Sequence, residues 1–235
     1  PSAPGSSIDA DQLDKKRAFE SGLYVDSEQK ISQKLTLQYG LRYSHFLRLG
    51  GETLSNYENN QPVVYNTTFD IYESGNPISQ TEYAKSETIA SFGNFEPRFA
   101  LSYQLNNTTS LKASVHRIAQ YIHLLSNTAI ATSLDVWTPS GKFVKPQVSN
   151  QYTFGYFKNF KNKNYSLEIE TYYKTVANRI DYINGAELIG QRTIETEILN
   201  GQSRAYGLEI LAKKNKGNFT AWLAYTIAKS EQQTP

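Results

Sequence analysis

The sequence predicts an all-β chain folded as an antiparallel up-and-down transmembrane β-barrel, and three observations carry that expectation. First, apolar and polar residues alternate over long runs: from Leu35 to Ser44 every odd position is apolar or aromatic and every even one is polar, charged or glycine. Successive strand side chains point to opposite faces, so such a run has one greasy and one wet face. Second, the links between these runs are short and long by turns, the pattern of barrels with short turns on one side of a membrane and long loops on the other. Third, the aromatic residues comprise 17 Tyr and 11 Phe against 2 Trp. The amphipathic tyrosine ring suits a membrane–water boundary, although strand propensity alone also favours Tyr and Phe.

Eight segments carry the alternation, at 16–27, 31–49, 84–104, 109–121, 148–160, 164–183, 195–213 and 218–230. The second is the run just described. In the fourth, Leu111, Ala113 and Val115 alternate with Lys112, Ser114 and His116. In the sixth, Tyr165, Leu167, Ile169 and Tyr173 alternate with Ser166, Glu168, Glu170 and Lys174. The seventh sets Tyr206, Leu208, Ile210 and Ala212 against Gly207, Glu209 and Lys213, and the eighth puts Phe219, Ala221, Leu223, Tyr225 and Ile227 on one side. The polar links "SEQK", "LNNT", "KNKN" and "KNKGN" read as hairpin turns at about 28–30, 105–108, 160–163 and 214–217. Long links of about 50–83, 122–147 and 184–194 separate the hairpins. The turns are expected on the periplasmic side and the long links outside, with 1–235 forming a single barrel segment. A soluble sandwich uses strands of ~5–6 residues, and several segments here are far longer.

Composition narrows the function classes. With 24 basic and 22 acidic residues the net charge is +2, and no basic stripe marks a nucleic-acid binder. Cysteine is absent, which excludes a disulfide scaffold, a zinc–thiolate site and a cysteine nucleophile. No stretch approaches the ~18 apolar residues of a spanning helix. The start, "PSAPGSSIDA", lacks the basic and apolar regions of a signal peptide, so the chain is expected to begin inside a longer one.

A barrel in lipid must close, because unpaired backbone groups are costly there. The greasy face then meets lipid and the polar face lines a lumen. Arg42, Glu96, Arg98, Lys112, His116, Glu168, Glu170 and Glu209 fall on the expected inward face, with Lys34. Charges of both signs suit a hydrated or plugged lumen better than a dry core. No catalytic constellation is visible, and the chain is not expected to be an enzyme. His45, His116 and His123 flank no nucleophile-elbow serine, and HExxH does not occur. Glu168 and Glu170 share a strand face, which alternation alone explains. "NTT" (107–109), "NYS" (164–166) and "NFT" (218–220) resemble glycosylation sequons but are products of Asn-rich turns.

Four stretches together resemble the barrel region of TonB-dependent outer-membrane receptors. They are "LTLQYGLRYSHF" (35–46), "NFEPRFALSYQLNNTTSLKASVHRIAQYIHLLS" (94–126), "KPQVSNQYTFGYFKNFKNKNYSLEIETYYKTVANRIDYI" (145–183) and "NGQSRAYGLEILAKKNKGNFTAWLAYTIAKSE" (200–231). Their order and spacing carry the likeness over most of 31–231. The resemblance implies about eight strands of a larger barrel of ~22 strands with a plugged lumen. It also implies Gram-negative outer-membrane localisation, and as partners the outer-membrane lipid, a plug domain and the TonB system, with no nucleic acid. Neither a plug nor a TonB-box segment is visible within the sequence, and eight strands closing alone is the second architecture.

For that family, function means capture of a scarce ligand by the external loops, here a glycan, peptide or metal chelate, followed by TonB-energised uptake. No cofactor is expected. The candidate surface is 56–83 with 127–146, where Tyr57, Tyr65, Phe69, Tyr72, Trp137 and Phe143 would stack on a ligand. Asn59, Asn60, Asp70 and Asp135 would hydrogen-bond it. These aromatics equally fit packing of the loops on one another or on a surface lipoprotein. The alternative function is a non-transporting barrel serving as scaffold or docking subunit of an assembly or secretion complex.

Overall fold

The computed structural model describes residues 15–126, 136–160, 163–188 and 193–234. Its strands in chain order are β1 (Arg17–Lys30), β2 (Leu35–Leu49), β3 (Glu52–Tyr57), β4 (Val63–Asn66), β5 (Ile71–Ser74), β6 (Pro77–Tyr83) and β7 (Thr88–Asn106), followed by β8 (Thr109–Gln120), β9 (Ile122–Leu125), β10 (Val136–Pro139), β11 (Gln147–Phe160), β12 (Tyr165–Tyr182), β13 (Ile198–Lys214) and β14 (Ala221–Gln233). Eight of them form one sheet in the order β1-β2-β7-β8-β11-β12-β13-β14, each antiparallel to its neighbour. β1 and β14 are its two edges, so the sheet does not close on itself within this chain. The six short strands pair as β3–β6, β4–β5 and β9–β10 inside the long links. Antiparallel order places the links after β2, β8 and β12 at one end of the sheet and the short turns at the other.

The first turn lies later than the expected 28–30, because β1 continues to Lys30 and the turn occupies 31–34. There Ser32 Oγ accepts from the backbone N–H of Lys34 and Leu35, the side-chain-to-backbone bonding that favours serine in turns. Bulges lie near the strand ends. Asn178 has φ 56 and interrupts the β12–β13 register, a left-handed position that Asn tolerates. Its Nδ2 donates to the Pro146 carbonyl at 2.8 Å.

One face of the sheet is apolar and has nothing packed on it among the described residues. Phe95, Phe99, Phe154, Leu223 and Ile227 expose between 43% and 73% of their surface, a patch that water does not tolerate in a monomer. The apolar band runs obliquely across the register. On β1 its loop-side limit is Phe19, opposite Leu47, with Arg17 beyond. On β14 the limit is Ile227, with Lys229 beyond, and following the pairs Leu208, Thr171, Phe154, Ala113 and Leu101 puts Ile227 level with Leu37. A drift of about ten residues at ~3.4 Å each, over about seven inter-strand steps of ~4.8 Å, makes the strands tilt by roughly 45° to the band. Transmembrane barrels tilt their strands by ~35–45°. The band is therefore level with a membrane plane when the strands are inclined as a barrel requires.

The buried apolar core lies at the loop end of the sheet, not across its face. Leu125, Val144, Ile180, Leu188, Ile194 and Ile198 form it, with Val136 and Tyr182 against them. These residues come from the two links after β8 and β12 and the strand ends beside them. The long links are thus a folded layer with its own interior.

Candidate functional site

Register places Arg42, Glu96, Arg98, Lys112, His116, Glu168, Glu170 and Glu209 on the face opposite the apolar band. Arg42 pairs with Glu96 and Arg98 with His116. Lys112, Gly155, Glu170 and Glu209 lie level on four successive strands. Arg42 reaches Glu20 at 3.4 Å and Glu96 at 3.7 Å, and Lys213 reaches Glu168 at 2.8 Å. The Lys112 ammonium sits 4.8 Å from the centre of the Phe157 ring. The face carries open hollows of about 650, 570 and 500 Å³.

At the loop end of this face the side chains close into a directed relay. Glu96 is buried, and its carboxylate can only accept, so Ser44 Oγ donates to Oε1 at 2.6 Å. The Tyr121 hydroxyl, 2.7 Å from Ser44 Oγ, then donates to it and accepts from Asn94 Nδ2 at 2.8 Å. The Tyr121 ring stacks on Phe46 with centroids 4.9 Å apart. Two residues on, His123 is buried, with Nε2 3.0 Å from Ser140 Oγ and Nδ1 3.4 Å from Gln147 Nε2. The Gln147 amide donates to Nδ1, which leaves the imidazole proton on Nε2 facing Ser140. Burial lowers the imidazole pKa to about 4.

The loop residues expected to meet a ligand divide into three groups. Tyr57 and Phe143 are packed together, rings 5.4 Å apart and edge to face. Tyr57 is buried and donates its hydroxyl to Glu195 Oε1 at 3.0 Å. Burial, with Glu195 beside it, pushes its phenol well above the ordinary range. Tyr65, Asp70 and Tyr72 form a second group on the β4–β5 hairpin, where Tyr65 bonds the Asp70 carboxylate and its ring lies 5.0 Å from Tyr72. Asn59 and Asp70 take φ 52 and φ 57 in the same link. Trp137 stands apart on β10, 64% exposed. Asp135 lies outside the described residues.

Other residues of this layer carry no periodic signal in the sequence. Lys142 Nζ donates to Asn56 Oδ1 at 2.8 Å and lies 5.1 Å from the Phe143 ring centre. Ser74 Oγ donates to Glu197 Oε1 at 3.1 Å, tying the first long link to the third. The buried Arg48 guanidinium pairs with Glu52. Between these elements opens a cleft of about 650 Å³ bordered by Arg48, Glu52, Trp137, Lys142, Phe143 and Glu195. That size is in the small-molecule range of ~300–1,000 Å³. Among the described residues no cluster of His, Asp and Glu is placed to hold a metal ion.

A family model described as "TonB dependent receptor-like, beta-barrel" matches residues 1–234. The fold is similar to that of the FrpB iron transporter from Neisseria meningitidis. Its F3-3 variant superposes with a TM-score of 0.56 at 16% identity, over 94% of this chain and 27% of that one. The F5-1 variant gives 0.57 at 14% identity, over 94% and 27%. The copper transporter OprC gives 0.50 at 16% identity, over 90% of this chain and 30% of that one. This chain thus spans 27% of the FrpB length. A search of curated proteins finds no sequence match.

Proposed function

Since the chain belongs to the TonB-dependent receptor β-barrel family, we propose that it is wall and loop structure of an outer-membrane receptor that captures a scarce ligand for TonB-energised uptake. The observation that carries this reading is the sidedness of the molecule. The three long links emerge at one end of the sheet, fold onto one another and leave a cleft of about 650 Å³ between them. Below them the sheet offers lipid an apolar face and presents a polar face bearing both signs of charge. A plug domain against that polar face and TonB beneath it are the partners this architecture calls for. The ligand class is a glycan, a peptide or a metal chelate, taken by the loop layer.

The test uses the full-length protein in its native outer membrane, identified by heat-modifiable migration on a denaturing gel. Growth is then compared on glycans, peptides and iron chelates as sole nutrient sources, in cells lacking the receptor and in cells lacking TonB. Loss of growth on the same class in both strains supports uptake. If the receptor deletion changes growth on none, and the protein co-purifies with an assembly or secretion complex, the barrel is a scaffold and the uptake reading fails.

A further inference from the structure

On the polar face near the loop end, one hollow of about 500 Å³ is lined by cationic and neutral polar side chains interspersed with a few apolar ones. His116, Gln151, Lys174 and Ser230 lie on one row of the register, passing through Ala205, and Arg98 precedes His116 on the same row. The next inward row toward the loops runs Ile118, Ser149, Val176, Ser203 and Gln232, with Gln120, Gln147 and Arg179 above. Among the described residues no acidic side chain lines the hollow. The nearest acids below it on these strands, Glu170 and Glu209, are four residues down β12 and β13, about 13 Å away at ~3.3 Å per residue. That exceeds a Debye length of ~8 Å at physiological salt.

Lys174 makes no hydrogen bond or ion pair with a described residue. Arg179 has a through-space interaction with Asp181 at the rim of the hollow, and that carboxylate accepts from Thr234 Oγ1 at 2.7 Å, from the Tyr182 N–H at 2.9 Å and from the Gln232 side chain. Among the described residues Lys174 thus faces the concave surface with no carboxylate beside it, and the Arg179 guanidinium, which feels Asp181 through space, makes no hydrogen bond. Around them Gln151, Ser149, Ser203 and Ser230 hold free donors and acceptors at the spacing of adjacent strands. Such a surface is matched by an anion that is also rich in hydroxyl groups. The hollow is within the ~300–1,000 Å³ of small-molecule sites, and it sits at the loop end, where a solute entering between the loops would arrive.

We propose that this hollow is a binding subsite for a hydroxylated carboxylate of the uronic-acid oligosaccharide class. Lys174 and Arg179 hold the carboxylates, and the Gln and Ser side chains read the hydroxyls. The proposal rests on the receptor reading above and names the ligand chemistry for it.

The experiment titrates purified full-length receptor with trigalacturonate and with its methyl ester, which keeps the shape and hydroxyls but removes the charge. Trigalacturonate should bind at least about tenfold more tightly than the ester, as one lost charge-assisted contact implies. Lys174→Gln and Arg179→Gln should each remove that preference, while Lys158→Gln, on the opposite face, should keep it. Heat-modifiable migration checks that each variant is folded. Equal affinity for acid and ester, or a preference that survives both substitutions, overturns the proposal. So does a result in which the substitutions leave trigalacturonate binding intact but expose the plug to protease, because the cations would then be holding the plug. TonB-dependent growth on some other nutrient, with no acid preference, defeats the subsite and leaves the uptake reading standing.

Discussion

Replacing Tyr121 with Phe isolates the relay at the loop end of the wall. The substitution removes one oxygen and keeps the ring on Phe46, whose centroid is 4.9 Å away. Two hydrogen bonds disappear, to Ser44 at 2.7 Å and from Asn94 at 2.8 Å. Each is worth ~0.5–1.5 kcal/mol net, and a buried donor left without a partner costs ~1–3 kcal/mol. Ser44 can still donate to Glu96, so the carboxylate remains paired. The expected loss is therefore about 2–3 kcal/mol, against ~3–5 kcal/mol for Tyr121→Ala, which also empties the ring site. The assay is the temperature at which the native band of the full-length receptor converts to the denatured band on a gel, with limited proteolysis of the 122–146 link as a second readout. Phe should fall between native and Ala in both. A Phe variant as stable as the native protein would refute the relay as an energetic element. A Phe variant as unstable as Ala would show that stacking contributes nothing.

Three further outcomes follow from the same geometry. Leu223→Arg puts a charge in the middle of the apolar band and should cost about 2–4 kcal/mol, whereas Thr226→Arg, opposite Glu209 on the polar face, should change stability by less than about 1 kcal/mol in the same gel assay. His123 contributes stability that is fully present above its unfolded pKa of ~6.5 and declines at up to ~1.4 kcal/mol per pH unit as pH falls toward its folded value. With that value at about 4, melting between pH 7.5 and 4.5 should flatten in His123→Gln, and an unchanged slope sinks the argument. Tyr57→Phe should loosen the first link through Glu195 alone, and Tyr57→Ala should also free Phe143, so loop cleavage by protease should rise in that order.

The parts of the fold legible in the sequence are those governed by local period. Hairpins lock register, so parity along each strand was enough to put Arg42, Glu96 and His116 on one face and Phe99, Phe154 and Leu223 on the other. Parity fails where both faces are wet. Asp26 to Lys30 are all polar because β1 runs past the apolar band, and that made a strand end look like a turn. Tyr121 was illegible for the opposite reason. Within the alternating segment 109–121 its odd position goes with Leu111, Ala113 and Val115 on the apolar face, but β8 ends at Gln120 and the side chain turns instead to Ser44, 77 positions earlier. Glu195 meets Tyr57 across 138 positions. Such contacts depend on how three links fold over each other, and single-residue chemistry in one link does not specify its partner in another.

The internal folding of those links bears on what they can do. A flexible loop that orders only on contact loses affinity to conformational entropy, roughly 1–2 kcal/mol for each residue whose backbone becomes fixed. Here that ordering is met during folding, by the apolar cluster around Leu125 and Ile194 and by the ties Tyr57–Glu195, Lys142–Asn56 and Ser74–Glu197. Tyr57 and Phe143 are therefore occupied in holding the layer, and Trp137, Tyr65 and Phe69 are the large aromatics of these links left well exposed. Gln120 lines the hollow on the wall and Ile122 lines the cleft among the loops, with Tyr121 buried between them. A relay at that junction fixes the position of the cleft relative to the wall below it. Preorganisation of this kind suits capture of a dilute solute, because binding energy is then not consumed in assembling the site.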